Sequence, residues 1–135
     1  MMPIVDDAIP TTARLFLIVG SVLAGLAVAA GAFGAHGLDG RVSPDRIATF
    51  ETGAQYHMYH ALALLVVAWL VSIGGGALAV AAGYAFLTGI VIFSGSLYLL
   101  VLTDTPWLGA ITPLGGVAFI VGWGLLAWSA WSGGG

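Results

Sequence analysis

Residues 52–103 read TGAQYHMYHALALLVVAWLVSIGGGALAVAAGYAFLTGIVIFSGSLYLLVLT, and none of them is Asp, Glu, Lys or Arg. Crossing about 30 Å of hydrocarbon takes roughly 20 helical residues, so this run is long enough for two crossings. Gly74-Gly75-Gly76 interrupts it where the chain would have to turn. No such charge follows Asp104 either, and the segment from Arg14 to Gly37 is equally clear of them after its first residue. The sequence therefore predicts an all-α integral membrane protein. Its form is a four-transmembrane-helix bundle, one membrane domain over residues 1–135, with spans at about 14–37, 55–73, 77–102 and 113–131.

Composition agrees. Charged residues make up 7% of the chain and hydrophobic ones 60%, and the mean hydropathy is +1.07; soluble proteins carry about a quarter charged residues. The only basic residues are Arg14, Arg41 and Arg46, too few and too scattered to neutralise phosphates, which excludes nucleic acid as a partner. There is no cysteine, hence no disulfide and no thiolate metal site. The leader before the first span holds Asp6 and Asp7 against Arg14. Its apolar run exceeds the 7–15 residues or so of a signal-peptide core, so a retained span is expected. Ser132-Gly133-Gly134-Gly135 is either native or a tag scar and is given no function.

The charges gather in the connections. Asp39, Arg41, Asp45, Arg46 and Glu51 fall between the first two spans. Ser43-Pro44-Asp45 reads as a helix start: serine as N-cap, proline at the first helical position, aspartate against the positive end of the dipole. Helix two then runs from Pro44 to Ile73, about 45 Å at 1.5 Å per residue, so its first turns form a short interfacial extension. Thr112-Pro113 suggests a second N-cap and proline pair for helix four, with a kinked helix from near Trp107 as the alternative. On helix three, Ala77, Ala81, Ala85 and Gly89 recur every fourth residue, a small-residue face expected to meet another helix, within the chain or across an oligomer. Trp69, Trp128 and Trp131 fall at one membrane face, and Tyr56, Tyr59, Tyr98 and Trp107 at the other, as interfacial aromatics do.

Four polar motifs arrive at one face by direction of travel alone. Helix one ends in GAFGAHGL (31–38), and helix two enters with QYHMYH (55–60). Helix three carries FSGSLY (93–98) toward that side, and TPLGG (112–116) opens helix four. His57 and His60 share a helix face that continues through Leu64, Val67 and Val71, so the pair is expected to point into the bundle. Gln55, four residues from both Glu51 and Tyr59, makes a second polar edge. The candidate ligand-binding residues are His36, Gln55, Tyr56, His57, His60, Ser94, Ser96, Tyr98 and Thr112. His36, His57 and His60 are the candidate metal ligands, since imidazole suits zinc, copper, iron and haem. The plainer reading gives the imidazoles interhelical hydrogen bonds, the serines bonds back to helical carbonyls, and Thr112 a cap. No serine-nucleophile, phosphate-loop or zinc-protease motif is present.

The segments GAFGAHGL (31–38), FETGAQYHMYHALALL (50–65), FSGSLYLLVLT (93–103) and TPLGGVAFIVGW (112–123) resemble the family called domain of unknown function 423, the transmembrane protein 256-like small membrane proteins. The resemblance touches all four helices and implies a four-span membrane protein without an established activity or cofactor. It also implies cytoplasmic termini, because relatives commonly carry basic residues after the last helix; this chain ends uncharged there. Counting arginines, two in the first loop against one before helix one, argues the other way.

The function expected is that of a non-enzymatic accessory or small-ligand-binding protein of the bacterial cytoplasmic membrane, with cytoplasmic termini. The alternative is transport of a proton, metal or small molecule, or a His-ligated metal or haem protein. Expected partners are the lipid bilayer and either a homo-oligomer or a larger membrane protein; no cofactor is expected.

Overall fold

The computed structural model describes residues 9–133; the leader aspartates and the last two glycines lie outside them. Helix α1, Thr11–Ala32, runs on through a wider π turn at Phe33–Gly37. Helix α2 spans Pro44–Ser72. The third crossing consists of α3, Ala77–Gly89, a π segment at Ile90–Ser94, and α4, Gly95–Thr103. A 3-10 turn at Pro106–Ala110 leads into α5, Thr112–Trp131. These make four helical stretches of 27, 29, 27 and 26 residues, long and apolar enough to cross a membrane. The protein is an all-α integral membrane protein.

The predicted start of helix two is present: Pro44 opens α2, Asp45 lies in its first turn, and the Ser43 hydroxyl accepts the Arg46 N–H at 3.3 Å. Glu51 and Thr52 are exposed on its outer turns, as an interfacial extension requires. Arg46 reaches Asp104 at 3.2 Å and ties that extension to the turn after α4. The pair is solvated, which limits its worth to about 0–1 kcal/mol.

Helix α1 packs along α2 and α3 along α5, while α2 also borders α3, the π segment and α4. Leu64, Val67 and Val71 of α2 meet Ala82 and Phe86 of α3, Phe16 of α1 and Phe119 of α5 in the main core. Lipid is as apolar as leucine, so close fit rather than exclusion from water holds such helices together. The fit is made by rings seated on glycines. A Cβ on Gly89 would come within 2.3 Å of the Phe119 ring, and one on Gly122 within 2.6 Å of the Phe86 ring. Each of the two helices thus receives the other's phenylalanine.

The predicted small-residue face of helix three is out of phase with the packed one. Ala77 is exposed, Ala81 and Ala85 are half-buried, and only Gly89 is buried. At 3.6 residues per turn a strict fourth-residue repeat precesses by about 40° per step, so the first and last members stand about 120° apart. The face that meets other helices is Ala79, Ala82, Phe86 and Gly89, spaced three, four and three.

Thr112 is not a side-chain cap. Ile111 occupies the N-cap position without a side-chain hydrogen bond, and the preceding 3-10 turn supplies backbone acceptors, as in the Ile111 N–H bond to the Leu108 carbonyl at 3.0 Å. Pro113 has no N–H to cap, and the Thr112 hydroxyl instead lies 2.6 Å from Ser96 of α4 and 3.4 Å from the Leu108 carbonyl.

Adjacent glycines at the start of α5 give a matched test. A Cβ on Gly115 would lie 2.4 Å from the Phe93 backbone nitrogen, whereas one on Gly116 would find only Phe93 Cδ2 at 3.9 Å. Gly115→Ala should lower stability in detergent by about 1–3 kcal/mol, the scale of overpacking. Gly116→Ala should change it by less than about 0.5 kcal/mol, as read from denaturation midpoints.

Candidate functional site

His57 and His60 lie on the inward stripe of α2, 6% and 4% exposed, as the sequence spacing requires. They do not bond to each other. The His57 Nδ1 pairs with the Tyr98 hydroxyl of α4 at 2.9 Å. Tyr98 gets there by lying over Gly53, where a Cβ would come within 3.0 Å of its ring, and by leaning back along its helix. The His57 Nε2 is buried without a hydrogen bond of good geometry; the Leu23 backbone of α1 is the polar group beside this ring.

His60 is satisfied on both sides, and its protonation follows from its partners. Its Nδ1 is 2.7 Å from the Tyr56 carbonyl, which can only accept, so Nδ1 carries a proton. Its Nε2 receives the Trp123 indole N–H at 3.1 Å, so that nitrogen does not. The ring is neutral. It stacks on Phe119 of α5 with centroids 3.5 Å apart and planes within 9°.

The hydroxyls of the third crossing join it to its neighbours. Ser94, at the end of the π segment, donates to the Gly53 carbonyl of α2 at 2.7 Å, a bond across helices rather than back along its own. Ser96 lies 2.6 Å from the Thr112 hydroxyl and 2.9 Å from the Phe93 carbonyl. Thr112 also lies 3.4 Å from the Leu108 carbonyl, so the two hydroxyl protons are shared among three contacts and either hydroxyl can donate to the other. A π turn inserts a residue into the helical repeat and re-aims the side chains beyond it, here setting Ser94 and Tyr98 toward α2 and Ser96 toward α5.

Three of the four polar motifs therefore meet, and the fourth does not. His36 is exposed, and its side chain forms no hydrogen bond or ring contact among the described residues. The three candidate metal ligands His36, His57 and His60 are not brought together, and no group of three His, Asp or Glu side chains able to hold a metal occurs among the described residues. The physical reason is the π turn at Phe33–Gly37, which packs Gly34 against Phe50 and leaves His36 on the open side. Gln55 donates to the Tyr59 hydroxyl at 2.6 Å on an exposed edge, as its spacing suggested.

Trp123 and Phe119 were not among the expected site residues. The signal for Trp123 was available: it lies in the middle of the fourth span, away from the interfaces where tryptophan concentrates, so its N–H needs an internal partner. With Tyr56, Tyr59, His60, Phe93, Gly116 and Ile120, these two line a groove of about 530 Å³ between α2 and α5. Ile120 is 73% exposed and Tyr59 50%, so the groove is open along its side.

The family described as "Protein of unknown function (DUF423)" matches residues 30–116 of this chain. The chain belongs to the DUF423 family. It is 53% identical over 111 residues to the UPF0382 membrane protein YwdK of Bacillus subtilis (strain 168), covering 82% of this chain and 90% of that one. It is 49% identical over 114 residues to the UPF0382 membrane protein SAB0533 of Staphylococcus aureus (strain bovine RF122 / ET3-1), covering 84% and 92%. No solved structure matches. The DUF423 match runs from the end of α1 to Gly116 and so takes in both α2 imidazoles and the hydroxyls of the third crossing, while Phe119 and Trp123 lie beyond it.

The bond between His60 and Trp123 is measurable. Interhelical hydrogen bonds in membrane proteins average about 0.6 kcal/mol and reach about 1.7. A double-mutant cycle with His60→Phe and Trp123→Phe, read by unfolding in mixed micelles, should give a coupling within that range. Additive losses would mean that the two rings do not share the bond.

Proposed function

We propose that this small membrane protein is a non-enzymatic binding protein that takes a small lipid-soluble molecule from the bilayer into the groove between α2 and α5. The observation that carries this reading is the groove itself: about 530 Å³, walled by Tyr56, Tyr59, His60, Phe93, Phe119 and Trp123, and open to the side. That volume lies within the usual range of roughly 300–1,000 Å³ for small-molecule sites, which are typically apolar with few polar groups. His60 spends both nitrogens on protein partners, so it shapes the wall instead of offering a base. The remaining polar contacts, Ser94 to Gly53, Ser96 to Thr112 and His57 to Tyr98, hold the three helices that form or support the groove.

The bilayer concerned is, in this reading, the cytoplasmic membrane of a bacterium, with both termini on the cytoplasmic side. Relatives from Bacillus and Staphylococcus being membrane proteins supports the first part. The even number of spans supports both termini sharing a side.

Gly116→Leu tests the groove directly, because the position has room for a side chain and lines the cavity. The uncharged fluorophore N-phenyl-1-naphthylamine, titrated into lipid nanodiscs, should bind wild-type protein saturably at one site per chain. The Gly116→Leu protein should keep its melting temperature and lose the saturable component. Identical, unsaturated partitioning in both proteins would contradict a binding groove.

A further inference from the structure

The aromatic side chains in the groove wall are not all held in the same way. Tyr56 packs against Phe93 with ring centroids 4.8 Å apart, and Phe93 against Phe119 at 5.4 Å. Phe119 is stacked on His60. His60 and Trp123 share the bond at Nε2, and Trp123 also lies edge-on to Phe86 at 4.7 Å. These rings brace one another across α2, the third crossing and α5. Tyr59 stands outside that arrangement. It is 50% exposed, and among the described residues its ring meets no other ring but that of Tyr56, edge-on at 5.7 Å.

What fixes Tyr59 is a polar group behind the wall. Gln55 Nε2 donates to its hydroxyl at 2.6 Å. Gln55 is exposed, one turn nearer the start of α2, and does not line the groove. A tyrosine in a helix takes one of two common χ1 values, which send the ring to different sides of the preceding turn, and the hydroxyl at its tip is the atom that moves farthest between them. A bond from that hydroxyl to the residue four positions back therefore selects one orientation of the whole ring.

We propose that Gln55 is a positioning residue of the groove: it touches no occupant, and through the Tyr59 hydroxyl it holds the Tyr59 ring in place as a wall. Once that bond is lost, the ring swings off the groove and an occupant leaves more readily. The other wall aromatics have no such dependence, because their neighbours in the core hold them. The polar edge of Gln55 and Tyr59 on α2 thereby acquires a task that does not depend on what the occupant is. The inference rests on the groove being a binding site, and the experiment separates the two.

The test uses N-phenyl-1-naphthylamine with the full chain in lipid nanodiscs, reading the dissociation constant by titration, the release rate after rapid dilution, and the melting temperature. Gln55→Leu keeps an apolar side chain at the position and removes the donor. It should raise the dissociation constant about fivefold, the factor that one neutral hydrogen bond supplies. The change should come from faster release, with the melting temperature unmoved, which a general loosening of the bundle would not leave so. In the Tyr59→Phe background, which keeps the ring and lacks the hydroxyl, the same Gln55→Leu change should have no further effect on the dissociation constant or the release rate. If Gln55→Leu leaves binding unchanged, or costs as much in the Tyr59→Phe background as in the wild type, the positioning role is overturned and the groove stands. A wild-type protein on which the probe never saturates overturns both.

Discussion

An imidazole inside hydrocarbon can find hydrogen-bond partners only within the protein, because lipid offers none and an unpaired polar group there costs several kcal/mol. Helix α2 places two such rings one turn apart on its inward stripe, and much of the bundle is arranged around them. His57 draws Tyr98 across Gly53, which brings α4 against α2. His60 draws the Trp123 indole from the middle of α5. With Trp123 comes Phe119, stacked on His60 and seated on Gly89, so one imidazole links α2, α3 and α5. The groove is a by-product of where those aromatic rings must lie.

The spans were legible in the sequence because charge is forbidden in hydrocarbon and allowed in connections, so a boundary shows as a return of Asp, Glu or Arg, or at residues 74–76 as a run of glycine. The start of α2 was equally legible, since Ser43, Pro44 and Asp45 act through local backbone chemistry alone. The stripe of His57, His60, Leu64, Val67 and Val71 held because its spacing of three and four stays on one face. The repeat of Ala77, Ala81, Ala85 and Gly89 did not mark the face packed within the chain, since its uniform spacing drifts around the helix. Thr112 was misplaced for a different reason. A hydroxyl before a proline resembles a cap, but the 3-10 turn had already supplied the backbone bonds, and nothing in the local sequence announces that turn.

For the site, direction of travel brought the motifs of α2, the third crossing and α5 to one region, and they do meet there. It also predicted that His36 would join them, but direction of travel carries no information on the rotation of α1's last turn. A π turn changes that rotation without a sequence signature of its own. Trp123 escaped notice because interfacial tryptophans are the rule and its neighbours Trp128 and Trp131 obey it, being 59% and 90% exposed. Its depth in the span was the distinguishing feature.

The central claim is that the His60 ring is a neutral structural junction with its proton fixed by two partners. Solid-state nitrogen NMR of ring-labelled histidine in bilayers reports this directly, since the two ring nitrogens differ in shift according to which bears hydrogen. The His60 signal, assigned by its loss in His60→Phe, should be that of a neutral imidazole with hydrogen on Nδ1 and none on Nε2. A signal from the opposite tautomer, or from an imidazolium at neutral pH, would contradict it.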